Sequence, residues 1–417
     1  MKTRILFVVE YYYPHVGGGE ILYQTVAEGL VRKGCEVGVI TTRFPNTKKE
    51  ELFHGVKLYR ILTPKIFGTH YWFTFLALPK IFRLANRYDV VHTTTYNAAL
   101  PAWLVAKLKG KRVVITVLQV WGALWRTFKG MNWLSARLHQ LFEKFIIRLP
   151  FDDYICISEH TKNSVMAIGL KSERLRVIHC GVDYELFDPA KYDHLKVKKE
   201  LGLSDRFVYM SYGRAGISKG IEYLIEAVPL ISRKIPNSKL LLILASDPKH
   251  RYEYIIRLIE KFRLNENIVL KNQLSRERLV RHIAASDCVV VPSLTEGFGL
   301  IAAETCAMNK PVICSKAGAL PEVVSGKYVL VNPKSPEEIA EGVERIYRDE
   351  VMETERKHFY WEECINKYLQ TYRGVSEHPE RDVLVDHKGV SGVEELEVLG
   401  VEHEIMDRAK VSSPDIL

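Results

Sequence analysis

Thirteen short β-branched and apolar runs, separated by longer amphipathic stretches, constrain this chain more than any other feature. In the first half they are RILFVVE (4–10), VGVITT (37–42), VKLYRIL (56–62), VVHTTT (90–95), VVITVL (113–118), YICIS (154–158) and VIHC (177–180). In the second half they are FVYMSYG (207–213), KLLLILA (239–245), NIVLKNQ (267–273), CVVVPS (288–293), PVICSK (311–316) and YVLVN (328–332). Nearly continuous apolar runs suit strands buried on both faces, and helical stretches between them predict parallel sheets. Two such sets predict two doubly wound α/β domains.

The seam falls in DPAKYDHLKVKKELGLSD (188–205), which is polar and carries no strand signal. The expected divisions are a domain over 1–187, a linker over 188–204 and a second domain over 205–350. A final helix, roughly 356–373 within a 351–375 segment, places Trp361, Ile365, Tyr368 and Leu369 at helical spacing. Residues 376–417 read as a disordered or loosely attached acidic tail.

The seven cysteines are dispersed, without a C-x-x-C pair, which suggests buried thiols in a reducing compartment. The opening apolar run is five residues, too short for a signal peptide, and no run approaches the length of a spanning helix. The expectation is a cytoplasmic protein that either dissolves or rests on a membrane. The net charge of +9 is unevenly spread. Residues 1–150 hold 22 basic against 8 acidic residues, whereas 376–417 hold 11 acidic against 4 basic. Between Leu52 and Phe142 the one acid is Asp89, among 13 Lys and Arg and five of the six tryptophans. Such a field calls for an anionic partner: a lipid surface, a nucleic acid or a phosphorylated substrate.

Ligands of doubly wound sheets sit at the carboxyl ends of the strands. Three glycine-rich stretches fall there: GGGE (17–20), GRAGISKG (213–220) and TEGFG (295–299). Glycine lets backbone N–H groups approach an anion, and a helix N-terminus adds positive charge. None matches a P-loop or G-x-G-x-x-G, and each alone is equally readable as an ordinary turn. Arg214 and Lys219, five apart, either clamp a diphosphate or are two solvated cations. Glu304 falls on the helix opened by Gly297–Gly299. A carboxylate there repels phosphate but suits a vicinal diol such as ribose, and Glu296 suits sugar hydroxyls. The plainer alternative for both is a carboxylate at a helix dipole.

Taken in order, these stretches resemble a retaining, GT-B-type glycosyltransferase of family 4. The likeness runs through YYYPHVGGGE (11–20), ISEHT (157–161), VIHCGVDYELFDP (177–189), GRAGISKG, AASDCVVVPSLTEGFGLIAAE (284–304), AGALPEVV (317–324) and the Trp361 helix. It implies two Rossmann-like domains facing a central cleft, the last helix packing back on the first domain. It also implies a UDP-, GDP- or ADP-sugar donor, with no cofactor and no metal. On this likeness Glu296 contacts the donor sugar and Glu304 the ribose. Phe298, Gly299 and Leu300 hold the diphosphate with their backbone beside Gly297, Arg214 and Lys219, and Gly18 and Gly19 close over it. Glu296, Arg214 and Lys219 are the catalytic candidates. Leu118 stands where the family usually has histidine, so either Gln119 or His92 takes that role or the sugar-side chemistry is altered; His92, at a strand end, reads first as structural. LILASD (242–247) and Asn272-Gln273 lack usual glycines, and the stretch from Ile339 to Trp361 looks one helix short.

Two segments point to the acceptor side. In 71–88, Lys80, Arg83 and Arg87 share a stripe on an apolar helix; in 123–148, Trp125, Phe128 and Trp133 alternate with Arg126, Lys129 and Arg137. They read either as core helices with basic outer faces or as interfacial helices on an anionic membrane. The latter implies a lipid or lipid-linked glycan acceptor and a place on the cytoplasmic membrane face. The competing readings are a transferase for a soluble acceptor, a non-catalytic sugar-nucleotide binder, a sugar-nucleotide epimerase and a nucleic-acid binder. The last leaves the glycine loops and both glutamates unexplained.

Overall fold

A computed structural model describes residues 2–64, 69–127, 132–351 and 353–374. The tail at 376–417, with Phe128 and Lys129 of the aromatic-basic segment, lies outside the described residues. In the first half β1 (Arg4–Val8) leads to α1 (Gly18–Arg32), β2 (Glu36–Thr42), β3 (Glu50–Phe53) and β4 (Val56–Ile61). Short helices α2 (Thr69–Leu76) and α3 (Leu78–Ala85) precede β5 (Val90–Thr94), α4 (Ala99–Leu108), β6 (Arg112–Val117) and α5 (Trp133–Arg148). Then come β7 (Asp153–Cys156), α6 (Glu159–Met166) and β8 (Leu175–Val177).

The second half begins with α7 (His194–Glu200), β9 (Phe207–Arg214), α8 (Ile221–Lys234), β10 (Ser238–Ala245), α9 (Lys249–Lys261) and β11 (Ile268–Asn272). It continues through α10 (Arg276–Ala285), β12 (Cys288–Val291), α11 (Leu300–Ala307), β13 (Val312–Ser315), α12 (Leu320–Val323), β14 (Tyr328–Val331) and α13 (Pro336–Tyr347). The chain ends its described part with α14 (Trp361–Arg373).

These strands form two sheets, ordered β3-β4-β2-β1-β5-β6-β7-β8 and β11-β10-β9-β12-β13-β14. This is the doubly wound α/β arrangement of a GT-B fold. In both sheets the strand order reverses beside the first strand, β1 or β9, and these switch points open toward each other across a cleft. Every pairing between these strands is parallel but one. Strand β3, which has no strong apolar run, pairs antiparallel with β4. Its turn is His54-Gly55, both at positive φ, the two-residue geometry that matches the twist of a hairpin.

Three further sequence expectations shift. Of VIHC only Val177 lies in a strand, because β8 is set earlier. The polar stretch 188–204 contains α7, whose Lys198 reaches Asp287 at 2.7 Å and so belongs with the second sheet. The last helix starts at Trp361 rather than near 356, since residues 353–360 are not helical and bridge to Lys327 at Glu353 and to Val182 at Tyr360.

Helix α14 packs on the first half. Gly29 of α1 leaves room for Ile365, which a β-carbon there would meet at 2.3 Å. Lys33 pairs with Glu362. Tyr368 and Tyr372 reach the strand interior, where their hydroxyls meet Thr116 and His92 at 3.0 Å. The two connections between the halves run side by side: Val182 pairs with Tyr360, and its N–H donates to the Phe359 carbonyl at 2.8 Å. Gly181 lies against the Trp361 backbone, where no side chain fits.

Candidate active site

A cavity of about 360 Å³ separates the halves and is lined by all three glycine-rich stretches. Two helices begin at its walls. Gly17 caps α1 and Gly299 caps α11, the latter at φ +100°, a conformation that favours glycine. A β-carbon on Gly18 would lie 3.6 Å from the Leu300 side chain, so the two helix N-termini face one another. Each presents amides without intrahelical partners and the positive end of its dipole. Gly18, Gly19, Gly297, Phe298, Gly299 and Leu300 all line this space, as do Arg214 at the end of β9 and Lys219 in the following turn.

Lys219 Nζ lies 2.6 Å from Glu296 Oε1, which also accepts from Ser293 Oγ at 2.7 Å. The lysine expected beside a diphosphate is thus joined to the glutamate expected beside the sugar. Gly297 is required where it stands, because a β-carbon would come within 1.9 Å of the Leu118 carbonyl oxygen from the other half. Gly318 supports the same loop from behind, close to the Glu296 backbone.

Glu304, on the second turn of α11, faces the cleft from a buried position. Tyr212 donates to its Oε2 at 3.0 Å, and Arg276 approaches Oε1 at 3.1 Å. Burial raises the Glu304 carboxyl above its ordinary range, and Arg276 and Tyr212 draw it back only in part. Burial, reinforced by the Glu304 charge, likewise keeps the Tyr212 hydroxyl protonated. Arg276 itself lies over the Phe187 ring, 5.2 Å from its centroid.

Sequence reasoning missed Arg276 and Tyr212. A signal existed for the first: Arg276 is the first residue of α10, where a cation opposes the helix dipole and needs another reason to be present. It also missed Glu20, which folds back over Gly17 and takes a hydrogen bond from His15 at 2.8 Å. Burial pushes the Glu20 carboxyl up, but His15 and the Arg214 charge outweigh it and leave it below the usual range.

The structure separates Gln119 and His92, the two candidates for the missing histidine's role, by their distance from the cleft. His92 is fully buried between Thr116 and Tyr372, 3.0 Å from each, and burial pushes it down to about 3. It holds α14 to the sheet and does not reach the cleft. Gln119 does line the cleft and donates to Thr295 Oγ1 across it at 2.7 Å. Leu118 lies over Gly19, where a β-carbon would meet its side chain at 2.8 Å. Gln273 and Ala245, from the two stretches lacking glycine, also line the cleft. Thr161 donates to the Gly297 carbonyl, and Glu322 accepts the first amides of α6 and a hydrogen bond from His179, so the halves are also joined beside the site.

Known proteins resemble this chain along most of its length. Residues 16–186 match the family described as Glycosyltransferase Family 4, and residues 193–360 match Glycosyl transferases group 1. An uncharacterized glycosyltransferase of Methanocaldococcus jannaschii is 26% identical over 403 residues, covering 89% of this chain and 98% of the relative. In Arabidopsis thaliana, one of the proteins of phosphatidylinositol N-acetylglucosaminyltransferase is 23% identical over 352 residues, covering 82% of this chain and 74% of the relative. The crystal structure of Anabaena HepE in complex with UDP and glucose superposes with a TM-score of 0.69 at 19% identity, covering 88% of this chain and 99% of that one. That last likeness is one of fold.

Proposed function

Because this chain belongs to the family 4, group 1 glycosyltransferases, we propose that it moves a hexose-type sugar from a nucleoside-diphosphate sugar to a lipid or lipid-linked glycan. One observation carries the donor side: two helix N-termini, Arg214 and Lys219 converge on a cleft that has the carboxylate of Glu304 farther in. Anion at one point and diol at the next is the pattern of a nucleoside diphosphate. In this reading Glu304 accepts from the ribose hydroxyls, and Glu296 from the sugar. The relative in A. thaliana, named for transfer to phosphatidylinositol, supports a lipid acceptor.

The chemistry follows from where charge moves. When the anomeric C–O bond breaks, its electron pair goes to the leaving phosphate oxygen and the sugar becomes oxocarbenium-like. Arg214, Lys219 and the amides of Gly299 and Leu300 receive that charge already oriented, without reorganising solvent. They take the part a divalent cation plays in other transferases. The acceptor hydroxyl attacks on the face the diphosphate leaves, its proton passing to the departing phosphate oxygen, so the anomeric configuration is retained.

UDP-, GDP- and ADP-sugars are the probes. One of them should raise the melting temperature, because a ligand specific for the folded state stabilises it. NMR of the product should then show the donor's anomeric configuration. If none of the three stabilises the protein, the donor reading is wrong. A binder without turnover is the second reading, favoured by Leu118, which offers no hydrogen bond beside Gly19. Nucleotide release on incubation with the stabilising donor separates the two.

A further inference from the structure

The basic and aromatic segments of the first half take no part in the donor site, and their outward faces are unusual. Helix α5 buries Ala136, Glu143, Ile146 and Ile147 against the sheet. It turns Leu134, Leu138, Leu141 and Phe145 outward, each at least half exposed. Their spacing of four, three and four places them on one stripe. Arg137 and Lys144 border this stripe along one side. A surface helix of a soluble domain reverses the pattern, keeping its apolar stripe for the core. Trp133, 76% exposed, extends the apolar surface at the helix start.

Helix α2 repeats the pattern. Phe73 is buried, whereas Tyr71, Trp72, Leu76 and Phe75 face out, the last 65% exposed. The Tyr71 hydroxyl meets His139 of α5 at 2.9 Å, so the two outward faces adjoin. Phe73, Ala77, Ala102 and Ile146 belong to one buried cluster, which puts α2, α4 and α5 on the same side of the sheet. At the α3–α4 edge Lys109 caps the exposed Phe82 ring, 3.5 Å from its centroid.

Charge selects what covers this surface. Residues 69–148 contain twelve Lys and Arg and two acids. Glu143 is 1% exposed, its carboxylate accepting from the Trp121 and Gly122 amides and from Tyr96. Asp89 is paired with Arg4 at 2.6 Å. Of the cations, Lys80, Lys107 and Arg112 pair with Glu50, Asp152 and Asp153 outside the segment, and among the described residues of these helices no unpaired carboxylate remains to offset Arg137 and Lys144 beside the stripe. A second copy of the chain would bring the same positive field against itself, whereas an anionic bilayer supplies both apolar depth and opposite charge.

We propose that the outward faces of α2 and α5 dock this protein on an anionic lipid bilayer. The surface leads to the cleft through adjacent rings: Trp125 lies 4.8 Å from His139 and 5.7 Å from Trp121, which lines the cavity. A lipid-borne acceptor would enter along that row. The docking rests on the surface alone, independent of the donor reading.

The test is flotation of the full chain with phosphatidylcholine vesicles, alone or with roughly 30% phosphatidylglycerol. At low salt the protein should float with the anionic vesicles and not with the neutral ones, and added salt should release it. Leu138→Glu with Leu141→Glu should reduce the bound fraction about tenfold. Both sites are exposed, so the melting temperature and any nucleotide-induced shift should match wild type. The proposal is overturned if wild type stays unbound on anionic vesicles, or if the double variant floats equally well. It is also overturned if wild type is a dimer that the double variant splits, which would make a second copy the occupant.

Discussion

Arg276 and Glu304 meet at 3.1 Å, a cation at the first residue of α10 against a carboxylate buried in α11. The pair joins two helices that flank β12 and sets the charge at the inner end of the cleft. Arg276→Met leaves that carboxylate without its cation while burial continues to raise it. Calorimetric titration of the stabilising nucleoside diphosphate should show affinity lower by about tenfold, as expected for roughly 1.4 kcal/mol. Because Glu304 then takes up its proton at higher pH than in wild type, affinity should begin to fall at higher pH on acidification. Arg276→Lys, which keeps a cation, should recover most of the loss.

Lys219 and Glu296, 2.6 Å apart, separate binding from turnover. Lys219→Ala should abolish the melting shift given by a nucleoside diphosphate lacking the sugar. Glu296→Gln keeps size and hydrogen bonding but removes charge beside the sugar. It should preserve that shift and lower kcat by roughly 100-fold, the scale of losing one preorganised polar contact. A variant Glu296→Gln that turns over like wild type would remove Glu296 from the reaction.

Gly297→Ala tests the approach of the two halves. Its β-carbon would sit 1.9 Å from the Leu118 carbonyl oxygen, a backbone atom that cannot swing away. The loop or the other half must move, at a cost of about 1–3 kcal/mol. A lowered melting temperature together with lost nucleotide response is the expected result. Gly110→Ala makes a useful contrast, since that glycine has open space around it and a positive φ, so only backbone strain should register.

Much of the fold was legible in the sequence because its strands are buried on both faces. Runs such as VVITVL and KLLLILA have few other ways to be kept out of water. Strand β3 was not legible: EELF is exposed at one edge, and its pairing depends on the His54-Gly55 turn. The glycine loops and the E-x₇-E pair drew attention to this cleft because glycines at strand ends are needed locally. Arg276 and Tyr212 were hidden, as each acts through a contact with Glu304 that bridges 28 and 92 positions of sequence. His92 is the opposite case. At a strand end in VVHTTT it reads as structural before chemical, and α14, arriving from 280 residues away, shows what it packs against.

His92 should also leave a pH signature in stability. It is held neutral by burial, down to about 3 against an ordinary 6.5. Below 6.5 the unfolded chain binds a proton that the folded chain does not, so acidification favours unfolding. The loss should approach about 1.4 kcal/mol for each pH unit until the pH nears the folded value. Urea unfolding at about pH 7 and about pH 5 should therefore show a larger drop for wild type than for His92→Gln. Equal drops would mean that His92 is not the group responsible.

The paired crossings at Val182 and Tyr360 limit how a substrate can come and go. Two strands of covalent chain stitched edge to edge act as the spine of a book: the covers swing, and they do not slide past each other or part. A rotation about this seam would widen the mouth near Gly18 and Leu300 while barely disturbing the gutter where Gly181 touches Trp361. A nick in one crossing would leave the volume bound by the other.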